Sequence, residues 1–153
     1  MEAIVQGGTP TVLLTTNLSD VDGAVYVGIN NSAAGRSAGR LMSHWVNQRP
    51  GAVLLTINSL AYTTHQERAK GFMEVMAYHA PGIRIIGSVE CFDDDVLTQT
   101  AVAQTLTDGP LAGLYDTGSD SHGIHTDLMH AGANPVWIVH EASTQQPPCC
   151  AKA

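Results

Sequence analysis

AVLLTINSLAYTTHQERAKGFMEVMAYHAPGIRIIGSV, residues Ala52 to Val89, holds a strand, a helix and a second strand in succession, and its reading decides the fold. Ala52 to Ile57 is a short apolar run, the pattern of a strand buried on both faces. Thr64 and Glu67 then stand three apart as a capping box, and Phe72, Val75, Met76 and His79 mark a helical stripe that stops before Pro81. A second apolar run, Ile83 to Val89, follows. Parallel neighbours in a sheet need a crossover of about a dozen residues or more, usually a helix, so this order is the signature of a β-α-β unit.

The alternation extends in both directions. Further strands are expected at Val12 to Thr16, Val25 to Ile29, Leu111 to Tyr115 and Val136 to His140. Ala34, Ala38, Leu41, Met42 and Trp45 recur at helical spacing on a helix that starts after Asn31 or Ser32. The acidic run Asp93 to Asp95 opens another helix through Leu97, Ala101 and Val102, and a last one carries Ile124, Leu128 and Met129. The expected fold is α/β, an open parallel sheet with helices on both faces in three flavodoxin-like layers. In such sheets ligands lie outside the carboxyl ends of the strands. The residues to watch are therefore Asn58 to Tyr62, Glu90 to Asp93, Asp116 to Asp120, and His140 with Glu141. Ala142 to Ala153 has no periodicity and reads as an irregular tail. No helix is readable after the last strand, and a truncation or changed reading frame near Ser143 is expected.

Composition narrows the function classes. The 153 residues are 44% hydrophobic and 14% charged, as in ordinary globular chains. A net charge of -7 repels the phosphate backbone that supplies most nucleic-acid affinity. With no basic-then-apolar leader and no apolar run near the ~20 residues of a membrane span, a cytoplasmic location is expected. Cys91, Cys149 and Cys150 make neither a disulfide framework nor a metal spacing. His122, His125 and His130 crowd one segment ahead of His140 and Glu141, but without an H-E-x-x-H pattern or a cysteine partner they read as solvated helix residues. No G-x-S-x-G elbow occurs, and Asp93 to Asp95 reads as a helix start rather than a phosphoacceptor. No catalytic residue, metal or cofactor is assigned. A metal-dependent enzyme using His122, His125 and Glu141 is the third-ranked alternative.

The order of signals resembles the ligand-binding domain shared by LacI/GalR regulators and type 1 periplasmic sugar-binding proteins. The likeness begins with Gly8 to Leu14, continues through Tyr26 to Asn31 and Ala34-Gly35-Arg36, and is most specific at Glu67 to Phe72, similar to the family's Arg-x-x-Gly-Phe helix. It implies an incomplete two-lobed domain: residues 1–30 as the end of the first lobe and the crossover, 31–141 as the second lobe, and 142–153 as the tail. It also implies a sugar or small polyol held between lobes without covalent chemistry. Guanidinium and carboxylate groups suit the paired donors and acceptors of sugar hydroxyls. By resemblance Arg68 supplies the guanidinium, Phe92 the stacking ring, Asp116 and Thr117 the end of a strand, Glu141 the acid after the next strand, and Asn17 the contribution of the other lobe. The first reading is the effector-binding domain of a LacI-type regulator, which reaches DNA only through a helix-turn-helix that this sequence lacks. The alternative is the sugar-binding component of an ABC transporter. Val12 to Thr16 and Val25 to Ile29 belong to a sheet this sequence does not complete, so a homodimer is expected.

Overall fold

In the computed structural model, residues 2–18, 21–118 and 122–140 are described. Helix α1 (Glu2–Gln6) leads into two short strands, β1 (Val12–Leu14) and β2 (Val25–Val27), which pair in parallel as a sheet of their own. Helix α2 (Asn31–Val46) then opens a larger unit, β3 (Ala52–Ile57), α3 (Thr63–His79), β4 (Ile85–Glu90), α4 (Asp95–Asp108), β5 (Leu111–Asp116), α5 (His122–His130) and β6 (Val136–Val139). Its four strands are parallel in the order β4-β3-β5-β6. The chain is thus the open, helix-flanked parallel α/β architecture its sequence implies.

The three layers follow from alternation along β3. Val53, Leu55 and Ile57 face one way, into a core closed by Ala38, Met42 and Val46 of α2 and Ala69, Phe72 and Met76 of α3. Leu54 faces the other way, with Leu114 of β5, Val102 of α4 and Ile124 and Leu128 of α5. Phe72 stacks on Tyr115 of β5 with ring centroids 4.3 Å apart.

Several boundaries differ from expectation for physical reasons. β1 stops at Leu14 because Thr15 takes φ 67°, a left-handed conformation that a β-branched residue rarely adopts. β2 ends at Val27 and β4 begins at Ile85 rather than Ile83. Ser88, at φ 56°, accompanies a register shift against β3 in this edge strand, which blunts the edge. The capping box does not form. α3 starts after Tyr62, so Thr64 already lies in the first turn, and its hydroxyl donates instead to Thr15 O and Thr16 Oγ1 at 3.2 and 3.0 Å. Along α2 the buried line is Gly35, Ala38, Gly39, Met42 and Val46, while Leu41 and Trp45 are exposed. The acidic run does start α4, where Asp94 Oδ1 accepts from the amides of Val96 and Leu97.

Candidate functional site

Strand order fixes where a site can form. From β3 the chain passes outward to β4 on one side, and β5 lies on the other with β6 beyond it, so the loops leaving β3 and β5 diverge at their carboxyl ends. Asn58 follows β3, and Thr117 and Gly118 follow β5. The loop at the end of β1 reaches the same place, since Thr63 Oγ1 donates to Asn17 O at 2.7 Å and Thr64 bonds Thr15 and Thr16. Between them lies a cavity of about 180 Å³ bordered by Thr15, Thr16, Asn58, His65, Arg68 and Thr117, among others.

Arg68 organises this cavity. Only 8% exposed, it sits on the second turn of α3, donates from Nε to Asn31 Oδ1 at 3.0 Å and from Nη1 to Thr117 O at 3.1 Å, and so links the start of α2 to the end of β5. Both acceptors are neutral. Each acceptor compensates part of the hydration that the buried guanidinium has lost. One turn earlier, His65 Nδ1 meets Thr117 Oγ1 at 3.0 Å and its ring contacts that of Tyr62 edge-on.

Behind Arg68, Tyr115 OH and His140 Nε2 are 2.6 Å apart. Burial, with Arg68 and His65 adding repulsion, lowers the His140 pKa to about 4, so the imidazole is neutral at pH 7. Burial also raises the Tyr115 phenol far above its ordinary range. The Tyr115-His140 pair is thus neutral at pH 7.

The structure separates the expected site residues. Arg68 and Thr117 border the cavity together. Asp116 lies next to Thr117 but turns inward, where its Oδ1 accepts from Thr56 Oγ1 and the Gly118 amide, at 4% exposure. Phe92 stands exposed beyond β4 at φ 51°, tied to the site through its amide on Asn58 O at 2.8 Å. Asn17 borders a neighbouring polar hollow of about 440 Å³ with Tyr26, Asn30, Arg36 and Glu67, and the left-handed turn at Thr15 brings Thr15 and Thr16 to the cavity in its place. Glu141, Ser119, Asp120 and the tail lie outside the described residues, as does the His122 side chain. Among the described residues no group of three His, Cys, Asp or Glu comes together to hold a metal ion, and no helix is long and apolar enough to cross a membrane. Sequence reasoning missed His65, Asn31, Thr15 and Thr16. His65 carried a usable signal, standing three residues before Arg68 and hence on the same helix face.

Known structures share this fold. GanP, a glucose-galactose binding protein from Geobacillus stearothermophilus, superposes with a TM-score of 0.82 at 23% identity, over 94% of this chain and 52% of that one. An ABC transporter solute binding protein from Burkholderia graminis C4D1M, solved in complex with D-arabinose, gives 0.84 at 20% identity over 94% and 52%. AraP, an arabinose binding protein from Geobacillus stearothermophilus, gives 0.76 at 24% identity over 94% and 50%. The chain spans about half the length of each of these structures. No curated protein sequence matches it. Residues 1–146 match the family model of the periplasmic binding protein domain, and on that match the chain belongs to the periplasmic binding protein domain family.

Proposed function

We propose that this chain contributes a sugar-binding surface of the kind used by the binding components of sugar ABC transporters, taking a small sugar without covalent chemistry. The observation that carries the reading is Arg68, buried at the strand-order switch point, held by neutral acceptors and bordering the cavity between the β1 loop and the carboxyl ends of the larger sheet. A positioned guanidinium with hydroxyl and amide groups around it suits recognition of a polyhydroxylated ring. Relatives named for transport of sugars, including a sugar-binding protein of a sugar ABC transporter from Bacillus halodurans, favour this reading over the regulator one. With the regulator reading recede its DNA partnership and its cytoplasmic location, since a transporter's binding component works outside the cytoplasm.

A thermal-shift screen of the 153-residue chain against pentoses and hexoses tests the proposal. Ligand at about 100 times its Kd stabilises by about 2.7 kcal/mol. At least one sugar should raise Tm, and Arg68→Ala should abolish the shift. Absence of a shift with every sugar at millimolar concentration sinks the reading. Coding sequence beside the gene separates the alternatives: a leader and transporter genes support this reading, a fused helix-turn-helix the regulator.

A further inference from the structure

We infer that the hollow between α4 and the edge strand β4 is a second binding site, taking a small zwitterion with an apolar body, the form of a free α-amino acid with an aliphatic or aromatic side chain. The inference goes beyond the sugar-binding reading, and the hollow shares no residue with the Arg68 cavity. It holds about 460 Å³, within the range of small-molecule pockets. Ile86 and Val89 of β4 and Leu97 and Ala101 of α4 form its apolar part. Val89 stands there because of the bulge. Leu54 pairs with Ile86 but Thr56 pairs with Val89, one residue further on than a regular strand allows, and Ser88 at φ 56° accommodates the extra residue. Val89 thereby joins Ile86 on the Leu54 face of the sheet in place of serine. Strained backbone of this kind clusters at ligand sites.

The charged groups gather at one end. As a crossover between parallel strands, α4 runs back along the sheet, so Asp108 in its last turn reaches the end of the hollow where Arg84 leads into β4. Among the described residues no ion pair joins the two, and the Asp108 carboxylate accepts from Gln104 Nε2 at 3.0 Å. A simple anion drawn to Arg84 meets a like charge at Asp108, and a simple cation meets the reverse. A zwitterion satisfies both, its carboxylate accepting from Arg84 and its ammonium donating to Asp108, while its side chain displaces water from the four apolar residues. A sugar ring fits less well, because its hydroxyls would lie unpaired against those walls.

Isothermal titration of the full chain tests this with L-leucine and L-phenylalanine, each against its amine (isoamylamine, phenethylamine) and its acid (isocaproate, hydrocinnamate). At least one amino acid should bind about fivefold more tightly than both of its analogues, the upper end for one exposed charge contact. Arg84→Gln and Asp108→Asn, both at exposed positions, should each weaken that binding about fivefold. An analogue that matches the tighter amino acid, a variant that leaves its affinity unchanged, or no binding of either amino acid at millimolar concentration overturns the inference. So does an effect of the two variants on self-association alone, which would make the hollow a seat for a second copy of the chain. The sugar-binding reading stands in each case, because the two sites have no residue in common.

Discussion

Gly35→Ala is the sharpest test of how the fold positions Arg68. Helices α2 and α3 touch backbone to backbone through glycine on each side. A Cβ on Gly35 would lie 2.0 Å from Arg68 O, and one on Gly71 would lie 2.3 Å from Ser32 O. The obstructing atom is a carbonyl oxygen, so no rotamer change relieves the clash, and α3 must recede by about 1.4 Å to restore an ordinary contact. Overpacking costs about 1–3 kcal/mol, and the upper end applies where backbone must move. Replacing glycine within a helix returns about 1 kcal/mol of propensity. The net loss is about 2 kcal/mol, a fall in Tm of about 4–8 °C for a domain of this size. Thermal unfolding followed by circular dichroism reads it, with Gly82→Ala, which meets nothing within 4 Å, as the control. Because the clash falls on Arg68's own carbonyl, ligand affinity should drop as well. A Gly35→Ala protein as stable as the parent, with binding intact, would refute the close helix approach and the placement of Arg68 built on it.

Asp94→Ala removes the side-chain cap of α4 and should cost about 1 kcal/mol, seen as a lower urea midpoint. His140 is depressed to about 4 in the folded state against 6.5 for an ordinary histidine, so the unfolded chain binds the extra proton first. Its contribution is complete above pH 6.5 and declines as pH falls toward 4. Urea midpoints at intervals across that window should show the decline, and His140→Gln should flatten it relative to the parent. Val12, Leu14, Val25 and Val27 leave one face of the β1–β2 sheet more than half exposed, so the chain should associate with rising concentration in light scattering. Leu14→Lys with Val25→Lys should hold it monomeric, and a parent that is strictly monomeric at high concentration contradicts the expectation.

The parts of the fold legible in the sequence were those set by local pattern. β3 and β5 are buried along their full length and read as mostly apolar runs. Asp94 caps α4 because a short acid ahead of a helix bonds its first amides wherever the helix then packs. Misreadings arose where a tertiary partner outbid a local one. Thr64 has the spacing of a cap, yet its hydroxyl serves Thr15 and Thr16, about fifty residues earlier. The inner face of α2 was only partly visible to a hydrophobic count: Ala38 and Met42 lie on it as expected, but Gly35 and Gly39 are buried for their smallness while Leu41 and Trp45 point outward. Arg68 and Thr117 were legible from the motif and the strand end, whereas Asn17 was chosen over Thr15 and Thr16 because the turn that redirects the chain depends on a single left-handed residue.

The side-chain links described between α3 and the end of β1 are polar, Thr63 to Asn17 O and Thr64 to Thr15 O and Thr16 Oγ1. Each can be exchanged for a bond to water at a net loss of only about 1 kcal/mol. An oily seam at the same place would open only at the cost of wetting it. The small sheet is therefore hung from the large one on latches that water can replace.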